Sequence, residues 1–503
     1  MTVPAAEQKA ALRTIRVATL LFPPAGLWLL WRSRAVGLGR KIFSTLGILL
    51  YAVVYAVLAV LALMRFAGLE LEWRGGFPPV LTFRKTKPDY LAVEAHRAHQ
   101  TNAVAASRVI STNTPPPYWT DFRGPRRDGH YSEKAILTNW PAAGLKPLWK
   151  QPIGGGYASF VVANGLAFTI EQRRDHEAVT AYDVNTGREV WAHSYPTVFD
   201  DDFHMGGEGP RATPTWHDGR LYALGARGDF LCFAAEDGRV LWQTNILSEN
   251  NAANLMYGMA AAPLVVDGKV IVLPGRSVVA SDAVSGRRVW RALDDQAAYV
   301  SPMVVTLAGR RQLLVVMAAR AIGLDLADGR LLWEFPWKVS YDNNIAQPVL
   351  VGTNRLVLSA GYGTGAVCVE VKESTNGFAA TEVWRNRNLK NKFTSSVLHD
   401  GYIYGLDEDI LVCLDAATGE RKWKDGRYGY GQLLLADGHL VILGGDGELA
   451  LVKASPERRI EVARLLALRG KTWNHPAIAD GRLFVRNAVE MACFDLRAEA
   501  LPR

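Results

Sequence analysis

Eight turn signals recur along this chain, most of them Asn-Gly or Asp-Gly, and the residue at a fixed distance before each turn is often aromatic. The distance is seven residues, or nine before the looser Ala308-Gly309 pair. The eight residues at this position are Tyr157, Arg211, Ala260, Tyr299, Ile345, Phe393, Tyr430 and Trp473. If the strands that end at these turns surround one axis, the rings and the arginine form the mouth of a pocket. Such a mouth suits a planar anionic ligand or an extended peptide, and the alternative is that the rings only plug one end of the axis.

A second position, two residues further along each strand, is mostly polar. Because side chains alternate along a strand, it faces the same way as the aromatic position; it holds Ser159, Thr213, Ala262, Ser301, Gln347, Ser395, Gln432 and His475. Neither position contains Asp or Glu, so neither offers the carboxylates of a calcium site or a carboxylate base. The predicted ligand-binding residues at the channel mouth are Tyr157, Arg211, Tyr299, Phe393, Tyr430, Trp473 and His475.

Two other groups of residues have the composition of metal ligands. Acidic residues cluster between Asp200 and Glu208, just before Arg211, which makes this loop the best place for a metal or substrate contact; a solvated surface loop is the alternative. His96 and His99 have helical spacing, but no Cys or second ligand pair lies near them in sequence, and a solvated pair explains them. We therefore predict no metal site and no catalytic residue.

The elements that position these residues form a repeat. The phrase Asp-x-x-x-Gly-x-x-x-Trp begins at Asp183, Asp282, Asp325 and Asp415, and Ala234 begins a copy without the aspartate. It describes a β-hairpin in which a strand ends at Asp, the Gly supplies a positive-φ turn position, and the next strand runs into a Trp that packs. A period of about 40 to 50 residues is typical of a stacked or radial array.

The number of repeats predicts the architecture. Eight inner hairpins can be counted, and six outer strands end in a tryptophan: Trp191, Trp242, Trp290, Trp333, Trp384 and Trp423. The run from Glu461 fills a seventh outer strand, whereas the eighth unit, ending near Asp495, has none after it. Leu148-Trp149-Lys150 supplies the missing strand and removes the exposed sheet edges of an open array. We predict an all-β, eight-bladed β-propeller at residues 147–497, with a short tail at 498–503.

Cysteine spacing supports the same alignment. Cys232, Cys368, Cys413 and Cys493 each fall two residues before the Asp position of their repeat, where other units carry Ala or Gly. They lie on different blades, too far apart for the Cα limit of a disulfide. We expect four free thiols that serve as small core residues.

At these residues the chain resembles a known family. The Asp-x-x-Thr-Gly-x-x-x-Trp phrase is similar to the repeat of pyrroloquinoline-quinone-like (PQQ-like) propellers, which include quinoprotein alcohol and glucose dehydrogenases and also the propeller lipoprotein of the outer-membrane barrel-assembly machinery. Three segments, 122–125, 209–214 and 471–476, are similar to a bacterial branch of that family. The dehydrogenases carry an adjacent cysteine pair near the cofactor, which this sequence lacks. We expect no cofactor, and PQQ with calcium is the alternative that the resemblance implies.

The N-terminal region predicts a membrane anchor, residues 1–65. Residues 42–64 form an uncharged apolar run bounded by Arg40-Lys41 and Arg65, long enough to cross a bilayer as a helix. Residues 17–31 form a second apolar stretch, interrupted by Pro23-Pro24, which is either a second span or an interfacial arm. The arginine-rich loop between the two stretches is cytoplasmic by the positive-inside rule. The propeller is then expected in the periplasm, tethered to the inner membrane.

Residues 66–146 are predicted to be a linker. It contains a helix-compatible run at 89–107 and a stiff Pro-rich spacer at 112–117. The net charge of the chain is +8, with basic residues spread over blades and linker rather than gathered in a stripe, which argues against nucleic-acid binding.

Two function classes follow from these observations. The favoured one is a membrane-anchored extracytoplasmic propeller that acts as a binding or scaffold module for a protein partner, by analogy with envelope protein assembly. The alternative is a membrane-bound PQQ-dependent dehydrogenase. Carbohydrate or polymer binding by the aromatic ring is a third, weaker option. A fold resemblance alone does not decide between them.

Overall fold

The computed structural model describes residues 4–67, 69–72, 80–82, 88–102, 118–200, 206–375 and 377–498. The chain divides into two compact units, Met1–Lys85 and Thr86–Arg503. The Pro-rich spacer at 112–117, the acidic residues at 201–202 and the last residues of the tail lie outside the described residues.

The N-terminal unit contains three helices, Ala5–Leu21, Pro23–Arg32 and Leu38–Phe66, and a small hairpin of Glu70–Glu72 with Val80–Thr82. Leu38–Phe66 is 29 residues long and, among the described helices, is the one long and apolar enough to cross a membrane. The apolar stretch at 17–31 is divided between two helices because the chain turns into extended backbone at Phe22, directly before the Pro pair. The second of these helices has 10 residues, which is too short to span a bilayer.

The second unit is an eight-bladed β-propeller, as the sequence predicts. Each blade is an antiparallel sheet numbered here in chain order from its inner strand. Blades 1 to 4 consist of Val161–Ala163, Leu166–Arg173, His176–Asp183 and Glu189–Pro196; Thr215–His217, Arg220–Leu224, Asp229–Ala234 and Val240–Asn245; Leu264–Val266, Lys269–Val272, Arg276–Asp282 and Arg288–Gln296; and Met303–Leu307, Arg310–Val316, Arg320–Leu324 and Leu331–Pro336.

The remaining blades follow the same pattern. Blades 5 to 8 consist of Val349–Val351, Arg355–Ala360, Gly365–Ser374 and Gly377–Asn386; Val397–His399, Tyr402–Asp407, Ile410–Asp415 and Arg421–Arg427; Gln432–Ala436, His439–Leu443, Glu448–Lys453 and Ile460–Leu466; and Ala477–Ala479, Arg482–Arg486, Glu490–Asp495 and Pro147–Pro152. A helix, Ile246–Glu249, and a short 3-10 turn, Ser340–Asp342, lie in loops between blades.

The ring is closed by the strand that the sequence proposes. Pro147–Pro152 pairs antiparallel with Glu490–Asp495 as the outer strand of blade 8, with Trp149 opposite Cys493. Blade 8 is therefore assembled from both ends of the propeller sequence. Closure satisfies the strand edges that an open array would leave unpaired.

The repeated phrase joins neighbouring blades. Trp191 of blade 1 lies over the turn of blade 2, where Gly238 has φ +74°, and its Nε1 donates to the carbonyl of Ala235 at 3.0 Å. Trp149, Trp242 and Trp384 make the equivalent contact with the next blade. The Gly and the Trp of the phrase are thus partners across a blade boundary.

The four cysteines occupy a position in the blades that packing restricts to small residues. Cys232, Cys368, Cys413 and Cys493 are buried and free, as predicted, and each lies directly opposite the tryptophan of the neighbouring outer strand. Ala181, Ala280 and Gly323 occupy the same place opposite Trp191, Trp290 and Trp333. A small residue is needed there because the indole fills the space between the two strands.

A segment ahead of blade 1 crosses the channel. Its backbone pairs with blades 1 and 2 through Trp119 and Thr120, and with blade 7 through Gly129, and it continues into the two-residue strand His130–Tyr131, which runs parallel to Gln432–Ala436. We call Trp119–Gly129 the plug. These residues fall in the range that the sequence assigns to a linker, yet Trp119 is only 1% exposed.

A helix, Tyr90–Asn102, packs beside the closing strand. His96 Nε2 lies 2.7 Å from Gln151 Oε1, and Arg97 donates to the carbonyl of Pro152 and the hydroxyl of Tyr182, each at 3.2 Å. The helix thereby bridges blades 8 and 1, where the ring closes. The His96 ring is engaged in this contact.

Candidate functional site

The eight residues of the aromatic position surround one end of the channel, ahead of the inner strands. All eight are half-buried: Tyr157, Arg211, Ala260, Tyr299, Ile345, Phe393, Tyr430 and Trp473. This intermediate exposure is what a channel mouth requires, because a packed core would bury the rings and a free surface would expose them.

Four of the rings form one continuous cluster. The centroid of Trp473 lies 5.5 Å from that of Tyr157 at an interplanar angle of 30°, and 4.7 Å from that of Phe393. Phe393 in turn lies 5.7 Å from Tyr430. These separations are typical of favourable aromatic pairs. The cluster spans blades 1, 8, 6 and 7, so the structure brings together these four predicted residues.

Tyr299 lies in a second group. Its ring is 5.8 Å from that of Tyr257, whose backbone N–H donates to the Tyr299 hydroxyl at 3.3 Å. This pair belongs to blades 3 and 4. Burial raises the pKa of Tyr299 to about 12, so its hydroxyl is protonated at neutral pH.

Arg211 is the cation that the sequence places at the mouth. Its guanidinium lies 5.5 Å from the Tyr157 centroid and 4.9 Å from that of Phe199, within cation–π range. It also donates to the carbonyls of Gly207 and Gly209, at 2.8 and 2.7 Å. Arg211 therefore holds the end of the loop between blades 1 and 2 against the mouth.

Two lysines join this cluster without having been predicted. Lys471 Nζ lies 4.3 Å from the Trp473 centroid, and Lys392 Nζ lies 5.0 Å from that of Tyr430. Lys392 also lies 4.8 Å from Tyr362. The sequence contains a signal for both, since Lys392 directly precedes Phe393 and Lys471 lies two residues before Trp473.

The second, polar position does not line an open throat. Its residues are buried, and several of them link neighbouring blades by hydrogen bonds. In each link a side chain on one blade accepts the backbone N–H of the equivalent residue on the preceding blade. The four such bonds join Ser159 N to Thr213 Oγ1, Ala262 N to Ser301 Oγ, Ser301 N to Gln347 Oε1 and Gln347 N to Ser395 Oγ, at 2.8–3.0 Å. We call this position the belt.

His475 belongs to the belt and not to the mouth. It is 3% exposed; its Nδ1 and Nε2 lie 2.7 and 3.0 Å from the carbonyls of Pro476 and Leu433. Burial, helped by the positive charge of Arg123, lowers its pKa to about 3, so the ring is neutral. Alternation along the strand gives the direction of the His475 side chain but not its depth, and the structure places the ring in the buried belt.

The plug closes the channel beyond the belt. The Phe122 ring meets His475 edge-on at 5.7 Å. Arg127, 2% exposed, donates to the carbonyls of Ala262 and Pro302 at 3.1 and 3.0 Å, to that of Pro263, and to Asp121. The plug therefore covers the channel on the side of the belt away from the mouth.

Among the described residues no group of three or more His, Cys, Asp or Glu side chains is arranged to hold a metal ion. The part of the mouth that the structure describes consists of rings, two lysines, an arginine and the Glu408 carboxylate, which accepts the Tyr430 hydroxyl at 3.4 Å. This donor set does not fit calcium, which requires several oxygen ligands.

One buried carboxylate lies between blades 1 and 2, near the loop that carries Arg211. Glu177 Oε2 accepts the Tyr195 hydroxyl at 2.7 Å, and Oε1 accepts the N–H of Ala226 at 3.0 Å. Burial raises the pKa of Glu177 to about 7, and Asp229 adds to the effect.

This pKa predicts a pH-dependent stability. Between its ordinary pKa and about 7, Glu177 is protonated in the folded chain and ionised in the unfolded chain, so stability falls as pH rises. The wild type should lose about 2 kcal/mol between pH 5 and pH 7 that Glu177→Gln does not lose. Denaturant unfolding followed by tryptophan fluorescence at both pH values measures this, and the exposed Glu373→Gln is the control. Parallel pH profiles for wild type and Glu177→Gln would contradict it.

Comparison with known proteins assigns the fold to a family. The family model PQQ_2, described as outer membrane protein assembly factor BamB, matches residues 175–425. The chain belongs to the PQQ-like repeat propellers. This PQQ-like propeller is 24% identical over 307 residues to the outer membrane protein assembly factor BamB of Burkholderia pseudomallei (strain K96243), over 57% of this chain and 71% of that protein.

Both branches of the family are among its relatives. The PQQ-like propeller is 24% identical over 203 residues to quinohemoprotein alcohol dehydrogenase ADH-IIG of Pseudomonas putida, over 37% of this chain and 27% of the enzyme. The match thus spans about a quarter of that enzyme's length. The crystal structure of BamB from Moraxella catarrhalis superposes with a TM-score of 0.51 at 16% identity, covering 71% of this chain and 99% of that one. Likeness at this identity shows the fold.

Proposed function

We propose that this chain is a membrane-anchored, extracytoplasmic propeller that binds a protein partner of the cell envelope at its channel mouth. The observation that carries the proposal is the half-buried cluster of Tyr157, Phe393, Tyr430 and Trp473 at the open end of a channel that the plug closes. Aromatic side chains of this exposure are the usual anchors of protein interfaces. The BamB relative, named as an assembly factor, supports the same class, and Leu38–Phe66 supports the anchor.

The test is site-specific photo-cross-linking in intact cells. A photoreactive residue at Tyr299 should give a discrete adduct with an envelope protein, whereas one at the exposed Lys453, beside the hairpin turn at the other end of the channel, should give none. Trp473→Ala should abolish the Tyr299 adduct while leaving the melting temperature within a few degrees of wild type. An adduct of equal yield from Lys453, or one that persists in Trp473→Ala, would reject the mouth as the binding site.

The second candidate is a PQQ-dependent dehydrogenase, and the specific observation in its favour is the match to ADH-IIG. Arg211 and the rings of Tyr157 and Trp473 are the residues that would contact a planar anion, but the described residues of the mouth include no group of carboxylates that could hold calcium against the quinone. Saturable binding of PQQ in the presence of calcium, lost in Arg211→Ala, would favour this candidate over the binding module.

A further inference from the structure

The cations of the mouth lie over the faces of its rings. Lys471 Nζ is 4.3 Å from the centroid of Trp473 and 5.5 Å from that of Tyr157. Lys392 Nζ is 4.8 Å from Tyr362, 5.0 Å from Tyr430 and 5.8 Å from Phe393. Each lysine thus lies over more than one ring of the mouth, Lys471 on blades 8 and 1 and Lys392 on blades 5, 6 and 7.

This arrangement selects the charge of a ligand. An aromatic ring is negative on its face and positive at its edge. Because the chain's own ammonium groups already cover ring faces at Trp473 and Tyr430, a neutral sugar has little face left to stack on, and a cation would be repelled. The ammonium groups and the ring edges both attract an anion.

Lys392 is partly buried at the mouth. Burial lowers its pKa, an effect that the nearby Glu408 opposes. A carboxylate that meets this ammonium forms a charge-assisted hydrogen bond, which is stronger than one between neutral groups.

Apolar side chains stand around the mouth. Tyr341 is 80% exposed on a turn with φ +62°, and its ring lies 5.6 Å from Tyr362. Met256 is 41% exposed next to Tyr257, and Val198 is 45% exposed next to Phe199. We call Val198, Met256 and Tyr341 the rim. Apolar side chains of a protein partner can pack on these three residues, whereas a small anion would leave the rim uncovered.

We propose that the mouth binds an extended acidic segment of a protein partner, with carboxylates paired to Lys392 and Lys471 and apolar side chains on the rim. The inference rests on the proposed function and names the chemistry of the partner. It commits to a peptide because the two lysines lie over different rings, Lys392 over Tyr362 and Lys471 over Trp473, so that an extended chain with several carboxylates can meet both.

The test uses the full-length protein in detergent and a fluorescein-labelled peptide of alternating Glu and Leu, followed by fluorescence anisotropy. The wild type should bind this peptide at least tenfold more tightly than the matching Gln-Leu peptide. The double variant Lys392→Gln/Lys471→Gln should lose at least tenfold of the affinity, whereas Lys453→Gln, with one exposed lysine removed at the other end of the channel, should bind like wild type. Unchanged melting temperatures show that the variants are folded.

Each other outcome rejects the inference in a different way. Equal binding of the Glu and Gln peptides, lost in Trp473→Ala, would overturn the acidic partner while leaving the mouth as a binding site. Saturable binding of citrate together with no binding of the Glu-Leu peptide would overturn the peptide and indicate a small carboxylate. Equal loss in Lys453→Gln would show that net charge, and not the mouth, attracts the probe. The cross-link at Tyr299 tests the proposed function independently of all three.

Discussion

Replacing Arg127 with alanine should destabilise the propeller by about 3–5 kcal/mol, the usual result of removing one partner from a buried ionic network. The guanidinium is 2% exposed and donates to carbonyls on blades 3 and 4, among them those of Ala262 and Pro302, as well as to Asp121 and Thr215. The variant leaves several buried acceptors and one carboxylate without their donor.

The adjacent arginine provides a matched control. Arg126 is 59% exposed and pairs with Asp128 at the surface, so Arg126→Ala should cost less than about 1 kcal/mol. Both variants remove the same side chain from neighbouring positions of the plug. Guanidinium chloride unfolding of the full-length protein, followed by tryptophan fluorescence, compares them. Equal midpoints for the two variants would mean that the plug is not part of the cooperative fold.

Gly238→Ala should cost about 3 kcal/mol, of which 1–2 kcal/mol come from the left-handed backbone and the rest from overpacking. Gly238 has φ +74°, and a Cβ built there would lie 2.6 Å from the Trp191 ring of the preceding blade. The indole cannot retreat, because its Nε1 is bonded to Ala235 and its other face packs on Phe168 and Phe233.

Gly219 separates the two causes. It has φ +73°, almost the same backbone, but nothing lies within 4 Å of an added Cβ. Gly219→Ala should therefore lose only the backbone contribution, about 1–2 kcal/mol. Thermal melting of the two variants side by side gives the difference. If Gly219→Ala were as harmful as Gly238→Ala, the indole contact would carry none of the effect, and the phrase would be a turn signal alone.

The blade count and the closing strand could be predicted from the sequence because both depend on patterns of residues that are close together along the chain. Turn residues recur in every blade and a tryptophan recurs in six outer strands, so the units can be counted, and the one unit without an outer strand leaves Trp149 as the single candidate. The same alignment places Cys493 at a position where the repeats with a tryptophan in the outer strand have a small residue. In the structure Cys493 lies opposite Trp149, and the bulk of the indole explains why the residue there is small.

The depth of each position along the channel could not be predicted. Period-two alternation gives the direction of a side chain but not its distance from the mouth, so His475 and Trp473 were grouped although one is buried in the belt and the other lines the opening. Arg127 was missed for a different reason. Its partners are backbone carbonyls of residues far along the chain. Because every residue has a carbonyl, the residue types in the sequence do not indicate which ones will accept from Arg127.

The shared make-up of blade 8 also constrains how this protein is made. Its outer strand, Pro147–Pro152, is synthesised before the other blade strands, whereas its partner, Glu490–Asp495, is the last of them. Seven blades can assemble in order as they appear, but the closing pairing has the greatest separation along the chain and must wait until its second strand has been synthesised. Until then the nascent ring has two unpaired edges, which makes this interval the one in which a chaperone or a second nascent copy has the most to bind.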